Sequence, residues 1–415
     1  MDLLKYFDKK YKSDNSALME LSFLMIMKGW IYNKNYEYQL FSNEIDQKPE
    51  VIDEFRSLRK NFNSIWSLIY FLYCIFSFKN PINVCFSFIK TIKIKRIPLF
   101  SGFMGNKSIK QNNGLGLVKK EILIRVVIPT YNRYDSLHNV LRDLESQDYQ
   151  FFSITVIDQS SPFKVNFYDK YDLNIKVIRQ EEPKLWSARN KAIIESDETI
   201  IALLDDDSRL DQNWITKHLQ CLDYYDADIS AGVSISIKGG KVPENYSYYR
   251  LADQFDTGNA MLYRKVFESC GLFDEQFEGM RMGDAEFGLR AYQTGFLSIS
   301  NPEAGRIHLK IDKGGLRQMG SWDALRPTKI ISPRPIPSVL YFSRKYFGTQ
   351  KTLKYLLVNI PFSLTFYNNK SKKIALLFSL ILSIIFSPLL ILQIIWSWKK
   401  ADKMLKSGPK IPNIE

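Results

Sequence analysis

Four short apolar runs, separated by segments with helical periodicity, constrain the fold of this chain more than any other feature. The runs are ILIRVVIP, FSITVID, IKVIRQ and TIIALLD, at residues 122–129, 152–158, 175–180 and 199–205. Apolar runs of this length are typical of buried β-strands. Strands that alternate with helices predict a largely parallel sheet with right-handed crossovers, which is a doubly wound α/β domain.

Three consecutive carboxylates, Asp205, Asp206 and Asp207, come at the end of the fourth run. Ligands of such sheets bind beyond the carboxyl ends of the strands, where Asp158 also lies. Clustered carboxylates are costly unless a cation or sugar hydroxyls satisfy them, and their oxygens suit Mg²⁺ or Mn²⁺. A helix N-cap needs one Asp, and Asp211 is better placed for that role. The cluster therefore predicts a site for a metal ion or a nucleotide.

The net charge of +13 indicates an anionic partner, such as nucleic acid, an anionic membrane or a phosphorylated substrate. The basic residues are spread among a linker, loops and the flanks of an apolar tail, and no nucleic-acid module appears, so we expect no nucleic-acid partner. The four cysteines lack CxxC spacing, which argues against structural zinc and favours a reducing compartment. The PTYNR that follows the first strand is not GxGxxG, which disfavours a dehydrogenase.

Six segments of the chain resemble glycosyltransferase family 2, the inverting enzymes with a GT-A fold. They occur in the family's order between about Glu121 and Arg317, as VVIPTYNR, VIDQSS, ARNKAI, LLDDDS, TGNAMLYRKVFESCGLFDEQF and GDAEFGLRAYQTGF. The resemblance implies metal-dependent transfer of a sugar from a nucleotide-sugar donor to a glycan or lipid-linked acceptor in cell-surface polysaccharide synthesis. The alternative is a catalytically silent nucleotide-sugar-binding or scaffold protein of the same fold.

The resemblance also implies a set of donor-binding residues, in which Asp158 accepts hydrogen bonds from the nucleotide base. The set is Pro129, Thr130, Tyr131, Asn132, Asp158, Arg189, Asp205, Asp206, Gly258, Asn259 and Arg317. For a Mn²⁺ or Mg²⁺ cofactor it implies Asp207 as the direct ligand, with Asp205 beside it and His308 completing the metal site. Lys310 and Lys313 either close over the diphosphate or belong to a solvated basic loop.

The general base is expected in GDAEFGLR, because an inverting transfer needs a carboxylate that takes the proton of the acceptor hydroxyl. The resemblance assigns this role to Asp284, at a helix start whose dipole favours the ionised carboxylate. One departure from the family pattern is Gly283, which stands where a Glu is usual. Glu286 keeps a later acidic position and is the alternative base.

The chain divides by composition into a helical region at 1–100, a linker at 101–120, a GT-A domain at 121–330 and a C-terminal region at 331–415. Residues 374–398 carry no charge and are long enough to cross a bilayer, unless Pro388 breaks them into a re-entrant hairpin. We expect membrane association on the cytoplasmic face of a bacterial cell membrane. The apolar run at 63–78 is too short to span and is interfacial or buried, so the N-terminal region either packs on the catalytic domain or docks on the membrane.

Overall fold

The computed structural model of the 415-residue chain describes most residues from Phe7 to Ile414. The described ranges are 7–31, 48–99, 102, 105–237, 242–311, 313–316, 320–321, 323–366, 369 and 372–414. The chain forms two compact units, one from residues 1–108 and 242–251 and one from residues 109–241 and 252–415. The second unit therefore contains both the α/β region and the C-terminal region, between which the sequence analysis predicted a boundary at residue 330.

The described part of the first unit is mainly helical. Its helices are α1 (Asp14–Met27), α2 (Val51–Asn61), α3 (Ser64–Phe76) and α4 (Pro81–Thr91), followed by a 3₁₀ turn (Glu244–Tyr246) and a short strand (Arg250–Leu251). Asn63 and Asn80 cap α3 and α4, since their side chains accept backbone N–H groups at 3.1 Å from Ile65 and Ile82. A small core of Phe55, Cys74 and Val84 joins α2, α3 and α4.

The second unit is built on one mixed β-sheet. Its strands are β1 (Ile124–Thr130), β2 (Phe152–Asp158), β3 (Ile175–Arg179), β4 (Ile200–Leu204), β5 (Ser208–Leu210), β6 (Ile229–Ser236), β7 (Asn259–Tyr263) and β8 (Ser298–His308). Their order is β3-β2-β1-β4-β7-β6-β8-β5. The four strands predicted from the sequence form the continuous parallel half β3-β2-β1-β4.

The other half of the sheet combines both orientations. β7 is antiparallel to β4 and β6, β6 is parallel to β8, and the short β5 is antiparallel to β8. The predicted α/β fold class is confirmed, with the antiparallel strands β7 and β5 as the departure from a fully parallel sheet.

Helices cover the sheet and extend to the C-terminus. They are α5 (Gly116–Lys119), α6 (Tyr134–Glu145), α7 (Leu185–Ile194), α8 (Trp214–Tyr224), α9 (Arg264–Cys270), α10 (Gly283–Gln293), α11 (Pro337–Asn359, broken at Gly348), α12 (Lys373–Ile385) and α13 (Ser387–Ser407). Short 3₁₀ turns occur at Val165–Phe167, Glu275–Phe277 and Ile360–Phe362. In α6 the buried Leu137, Val140, Leu141 and Leu144 recur at helical spacing, which fixes the face that meets the sheet.

The end of the chain is part of the core of this unit. Leu390 and Ala401 of α13 are buried in the same apolar cluster as the strands and α7. The backbone beyond α13 accepts hydrogen bonds from Leu272 and Glu275, at Pro412 and Lys410. Residues 387–414 are therefore an integral layer of the second unit, and a deletion from residue 370 would expose its core.

The uncharged stretch at 374–398 is not one helix. It breaks at Phe386, and α12 meets α13 at an angle of 86°. Among the described residues, no single helix is both long and apolar enough to cross a bilayer, and the bent pair α12–α13 meets that requirement only when its two halves are taken together. The break comes just before Pro388, which lacks the backbone N–H needed to continue a helix.

Candidate active site

Many of the predicted site residues come from the carboxyl ends of β1, β2 and β4, which meet at one edge of the sheet. In the β1–β2 ladder Thr130 lies beside Asp158. β4 ends at Leu204 and delivers the carboxylates of 205–207 to the same edge. The hydroxyl of Thr130 donates a hydrogen bond of 2.8 Å to Asp206, which ties the end of β1 to this cluster.

Asp205 lies between two buried arginines. Its carboxylate accepts from Arg189 at 2.6 Å and from Arg306 at 3.0 Å. Arg306 reaches on to Asp256 at 3.2 Å. Burial alone would raise the pKa of Asp205, but Arg306, Arg189 and His308 hold it below its ordinary value. Asp205 is thus an ionised carboxylate committed to guanidinium partners.

Arg189 retains unused hydrogen-bonding capacity. It is 1% exposed, and only one of its guanidinium nitrogens donates to Asp205. Its Nε and Nη1 atoms have no hydrogen-bond partner among the described residues. Burial lowers its pKa, against the opposing effect of Asp205, Asp256 and Asp284. A buried guanidinium with free donors is suited to an anionic ligand group.

Gly258 is a glycine for steric reasons. A Cβ atom at this position would overlap the carboxylate of Asp205 and the guanidinium of Arg306. Its backbone N–H donates to Asp256 at 2.9 Å, which forms the turn before β7. The predicted turn beneath the site is therefore present, and its role is to let the backbone approach the charge cluster.

Arg133 bridges the other two carboxylates of the cluster. Its Nη1 atom donates to Asp206 and to Asp207, at 3.0 Å each. Burial raises the pKa of Asp206 to about 6, an effect that Arg133 opposes and Asp207 reinforces. Every carboxylate of the DDD segment therefore has an arginine partner.

Two of the three predicted metal ligands lie together. Because β5 pairs with β8 so that Ser208 faces His308, the Nε2 atom of His308 comes within 3.3 Å of Asp207. Asp205 faces its arginines, and the described residues contain no group of three or more His, Cys, Asp or Glu side chains arranged to hold a metal ion. Divalent cations of this class often take one or two protein ligands and complete their shell with water and substrate phosphates. Asp207 and His308 fit that arrangement, and Asp205 does not.

Arg133 also fastens the basic loop that follows β8. Its Nε and Nη2 atoms donate to the carbonyls of Lys313 and Ile311, at 3.2 and 3.1 Å. The N–H of Gly315 donates to the carbonyl of Tyr131 at 2.7 Å, and Gly315 has a positive φ of 74°. The loop thus lies over the PTYNR turn. Arg317, the last residue predicted for the donor set, lies outside the described residues.

Asp158 is placed as predicted at the end of β2, but its oxygens are occupied. It is fully buried and accepts from the hydroxyls of Tyr134 and Tyr168, at 2.8 and 2.7 Å, and from the N–H of Ser160 at 2.8 Å. This geometry assigns it to the floor of the site rather than to direct contact with a base. Asn132 is exposed beside it in a left-handed conformation, with a φ of 53°.

Asn259 has a structural role that differs from the predicted one. Its side chain is fully buried, accepts from Trp214 at 2.8 Å, and donates to the carbonyls of Val233 and Ala304 at 3.1 and 2.9 Å. These bonds join β6, β7 and β8 beneath the site. The amide therefore has no group left for a ligand, whereas the neighbouring Gly258 borders the cluster directly.

Asp284 lies in the first turn of α10, one residue after its start. The N-cap position belongs to Met282, whose φ is 79°, so Asp284 is not the cap. Burial, reinforced by the nearby Asp256 carboxylate, raises its pKa to about 6. We expected the helix dipole to favour the ionised carboxylate. This expectation is wrong, because desolvation raises the pKa of Asp284 by more than the dipole can lower it. A carboxylate with this pKa is well matched to accept a proton near neutral pH.

Structural contacts explain both the glycine at position 283 and the role of the acidic Glu286. A Cβ atom at Gly283 would overlap the indole of Trp186, so the place of the expected Glu is filled by that ring. Glu286 is fully buried and bound to Arg290, Lys345 and the Tyr346 hydroxyl at 2.9, 3.0 and 2.5 Å. Its carboxylate joins α10 to α11, which leaves Asp284 as the acidic residue of this motif that can act as a base.

Three residues of the site were not predicted from the sequence. Arg133 lies inside the PTYNR segment, so its position next to the end of the first strand was a usable signal. The sequence around Arg306 and Asp256 contains no comparable signal. Each lies in an ordinary strand or loop segment and belongs to the site only through partners that are distant along the chain.

Comparison with known proteins finds a family match for part of this chain. Residues 125–274 match the sequence profile described as "Glycosyl transferase family 2". This segment contains β1 to β7, the DDD cluster and Arg189, and it ends before Asp284 and His308. The chain therefore contains a glycosyl transferase family 2 domain.

Three curated relatives carry glycosyltransferase or synthase names. Glycosyltransferase GlyA of Streptococcus pneumoniae is 23% identical over 163 residues, which is 38% of this chain and 22% of the relative. Chondroitin synthase of Pasteurella multocida is 26% identical over 246 residues, covering 46% and 25% of the two chains. Glycosyltransferase AglE of Haloferax volcanii is 25% identical over 191 residues, covering 42% and 62%. This chain thus spans less than two thirds of the length of each.

Among solved structures, the chain is similar to residues 1–349 of S. aureus TarS in complex with UDP-GlcNAc. The sequence identity is 16% and the TM-score is 0.42, over 68% of this chain and 82% of the other.

Proposed function

We propose that the glycosyl transferase family 2 domain of this chain moves a sugar from a nucleotide-sugar donor to a hydroxyl of a glycan or lipid-linked acceptor, with inversion at the anomeric carbon. The observation that carries the proposal is the environment of Asp284. Its carboxylate, with a pKa near 6, interacts with Arg189 and Asp256 at the edge where the family places donor binding. Asp284 can accept a proton, and the buried Arg189 beside it has nitrogens free to bind an anion. This combination suits transfer of a sugar from a diphosphate leaving group.

The proposed step uses Asp284 as the general base. As the acceptor oxygen attacks the anomeric carbon, its proton passes to the Asp284 carboxylate. The new carbon–oxygen bond forms while the bond to the diphosphate breaks, and its electron pair leaves with the nucleoside diphosphate. A single displacement of this kind inverts the anomeric configuration and needs one carboxylate at the acceptor.

The charge that develops on the diphosphate needs stabilisation by cations of this chain. Arg189 offers two free nitrogens, and the exposed Lys310 and Lys313 lie on the loop that Arg133 holds over the strand ends. A divalent Mn²⁺ or Mg²⁺ cofactor, held by Asp207 and His308, would supply further Lewis-acid stabilisation of the same phosphates.

The proposed location is the cytoplasmic face of the cell membrane, where lipid-linked acceptors are accessible. It is supported by an apolar surface on α12 and α13 that is exposed to the surroundings. Its members are Ile374, Leu377, Phe378, Ile381, Ile384, Ile385, Ile391 and Leu392. The opposite side of α13 is buried in the core, so this surface suits a re-entrant or interfacial contact better than a free spanning anchor.

The test is a donor screen with the purified full chain on vesicles that contain membrane lipid extract. Release of nucleoside diphosphate is measured for a panel of nucleotide sugars, with Mn²⁺, with Mg²⁺ and with EDTA, and the anomeric configuration of the product is read by NMR. We expect release with at least one donor and an inverted product. Tight donor binding without turnover for every donor and acceptor extract would instead identify a silent sugar-binding protein.

The metal assignment has its own test. The variant Asp207→Ala should lose divalent-cation-dependent binding of the nucleoside diphosphate, measured by calorimetry, while Asp205→Ala should lose stability. Metal-dependent affinity equal to that of the unaltered protein in Asp207→Ala would contradict the assignment. A loss of nucleotide binding only in Asp205→Ala would move the metal to that residue.

A further inference from the structure

The hairpin of α3 and α4 in the first unit has its side chains distributed in the opposite sense to a water-soluble helix pair. The buried residues of α3 are Ser67 and Cys74, and those of α4 are Val84, Ser87 and Thr91. Many of the large apolar side chains point outward, whereas Phe71, Ile75 and Phe88 pack partly buried against the small core. The exposed members are Phe62, Ile65, Trp66, Leu68, Leu72, Phe76, Phe78, Ile82, Phe86, Ile89 and Ile92.

Two of the three small polar residues inside the hairpin, Ser87 and Thr91, are hydrogen-bonded within α4, whereas the Oγ atom of Ser67 has no partner among the described residues. Thr91 donates to the carbonyl of Ser87 at 2.9 Å, within its own helix. Small residues at a helix–helix contact with large apolar residues outside are typical of helices surrounded by lipid, because small side chains let the backbones approach while lipid solvates the rest. In water, an exposed apolar surface of this extent instead marks a site of interaction.

The apolar surface is most pronounced at the tip of the hairpin, residues 76–82. There Phe76, Phe78 and Ile82 are 78%, 96% and 80% exposed. The only charged residue of the tip, Lys79, turns back toward α2 and α3, where it lies 3.5 Å from Glu54 and 3.0 Å from the hydroxyl of Tyr70. The tip thus exposes mainly apolar side chains beside the uncharged Ser77 and Asn80, and its one charge is paired with Glu54.

The charge of this region has one sign. From Phe55 to Lys120 the sequence contains no Asp or Glu. At the end of the hairpin opposite the tip, Lys90, Lys93, Lys95 and Arg96 are exposed. The apolar tip matches the hydrocarbon interior of an anionic leaflet, and the positively charged end opposite the tip matches the phosphates at its surface.

We propose that the α3–α4 hairpin is a membrane-insertion element that places its tip in the hydrocarbon of an anionic leaflet and its basic end among the lipid phosphates. α3 has 13 residues and α4 has 11, or about 20 and 16 Å at 1.5 Å per residue. Neither reaches across the ~30 Å hydrocarbon core, so the hairpin enters one leaflet only. The occupant of the surface is the bilayer itself. This inference does not depend on the proposed activity.

A natural reporter lies on the inserting face. Cys85 is exposed on α4, three residues from Ile82 and four from Ile89, while Cys74 and Cys221 are buried. In a Cys270→Ser background, the full chain can be labelled at Cys85 with an environment-sensitive nitrobenzoxadiazole dye. We expect its emission to shift to shorter wavelength and rise severalfold on vesicles of equal parts phosphatidylglycerol and phosphatidylcholine, with little change on phosphatidylcholine alone.

Paired variants test whether the tip carries the effect. Phe78→Asp with Ile82→Asp should abolish the dye response without loss of secondary structure, because both side chains are exposed. The matched control, Val165→Asp with Tyr292→Asp, changes two exposed apolar side chains of the second unit and should leave the response intact. Changing Leu377 and Ile384 to Asp lowers overall vesicle binding but should not abolish the response of the hairpin.

Two outcomes would overturn the proposal. The first is co-sedimentation of the protein with anionic vesicles while the Cys85 dye stays in water. The second is a lipid-free dimer, seen by sedimentation velocity, that Phe78→Asp with Ile82→Asp dissociates, since this would make a second copy of the chain the occupant. No nucleotide sugar is present in these assays, so their failure is distinct from failure of the proposed transferase activity.

Discussion

The charge cluster at the strand ends buries charged side chains, whereas the α3–α4 hairpin exposes apolar ones. In the cluster, Arg189 and Arg306 are almost fully buried. Both bind the Asp205 carboxylate, and this pairing of charges offsets the cost of removing the two guanidinium groups from solvent. In the hairpin, Ser67 and Ser87 are buried while Phe76, Phe78 and Phe86 are exposed. Each region thus departs from ordinary burial at the place where we propose that it meets a ligand or a lipid surface.

The largest expected effect concerns the chemistry of the charge cluster. Asp284→Asn keeps the size of the side chain but removes its basic oxygen, so kcat should fall by about 10²–10⁴, the usual worth of a general base. The KM for the donor should barely change, because the lost interaction belongs to the transition state. Steady-state kinetics with the active donor checks this, with the exposed Glu195→Gln as the control. Near-normal turnover in Asp284→Asn would remove the base from this residue.

The next effect concerns stability. Glu286→Gln leaves the half-buried Arg290 and Lys345 without their carboxylate, which should cost about 3 kcal/mol, the lower end for breaking a buried pair, because Arg290 keeps carbonyl partners. For a domain of this size the loss lowers Tm by roughly 6–12 °C. Differential scanning fluorimetry measures it against Glu195→Gln. A variant with normal Tm but collapsed turnover would instead make Glu286 the base.

A smaller effect is the pH dependence of the reaction. Asp284 accepts a proton only when ionised, so activity should be present above its pKa of about 6 and be lost as the pH falls through that value. At pH 5, kcat/KM should be about tenfold below its plateau. Asp206 has a similar pKa, so Asp206→Asn should keep this acid limb if Asp284 causes it. A limb near pH 4 would contradict the desolvated environment of Asp284.

The smallest expected effect concerns Arg133. Its guanidinium lies 3.0 Å from the Asp207 oxygen that faces His308, so it competes with a divalent cation for the same charge. Arg133→Gln should tighten Mn²⁺ binding a few-fold, on the order of 1 kcal/mol, as read by electron paramagnetic resonance of free Mn²⁺ without nucleotide. The exposed Arg142→Gln serves as the control. Unchanged or weaker binding in Arg133→Gln would contradict this competition.

Much of the α/β unit followed from local patterns. The apolar runs predicted β1 to β4 to within two residues at each end, and the carboxylates after β4 marked the edge where Arg189 and Asp284 converge. Asn259 and Glu286 could not be assigned this way, because a buried amide and a ligand-binding amide have the same sequence. Their roles depend on which strands and helices surround them.

The sequence by itself determined which segments become strands, where each strand ends and which of those ends carry oxygen ligands, because side-chain periodicity and turn chemistry act over a few residues. Only the tertiary structure decided the pairing of charges and the direction of apolar faces. Arg133 binds Asp206, which is 73 residues away along the chain, and Arg306 binds Asp205, which is 101 residues away. The uncharged stretch at 374–398 bends by 86° because one side of α13 is held in the core. Such contacts depend on the order of strands in the sheet, which short-range patterns do not encode.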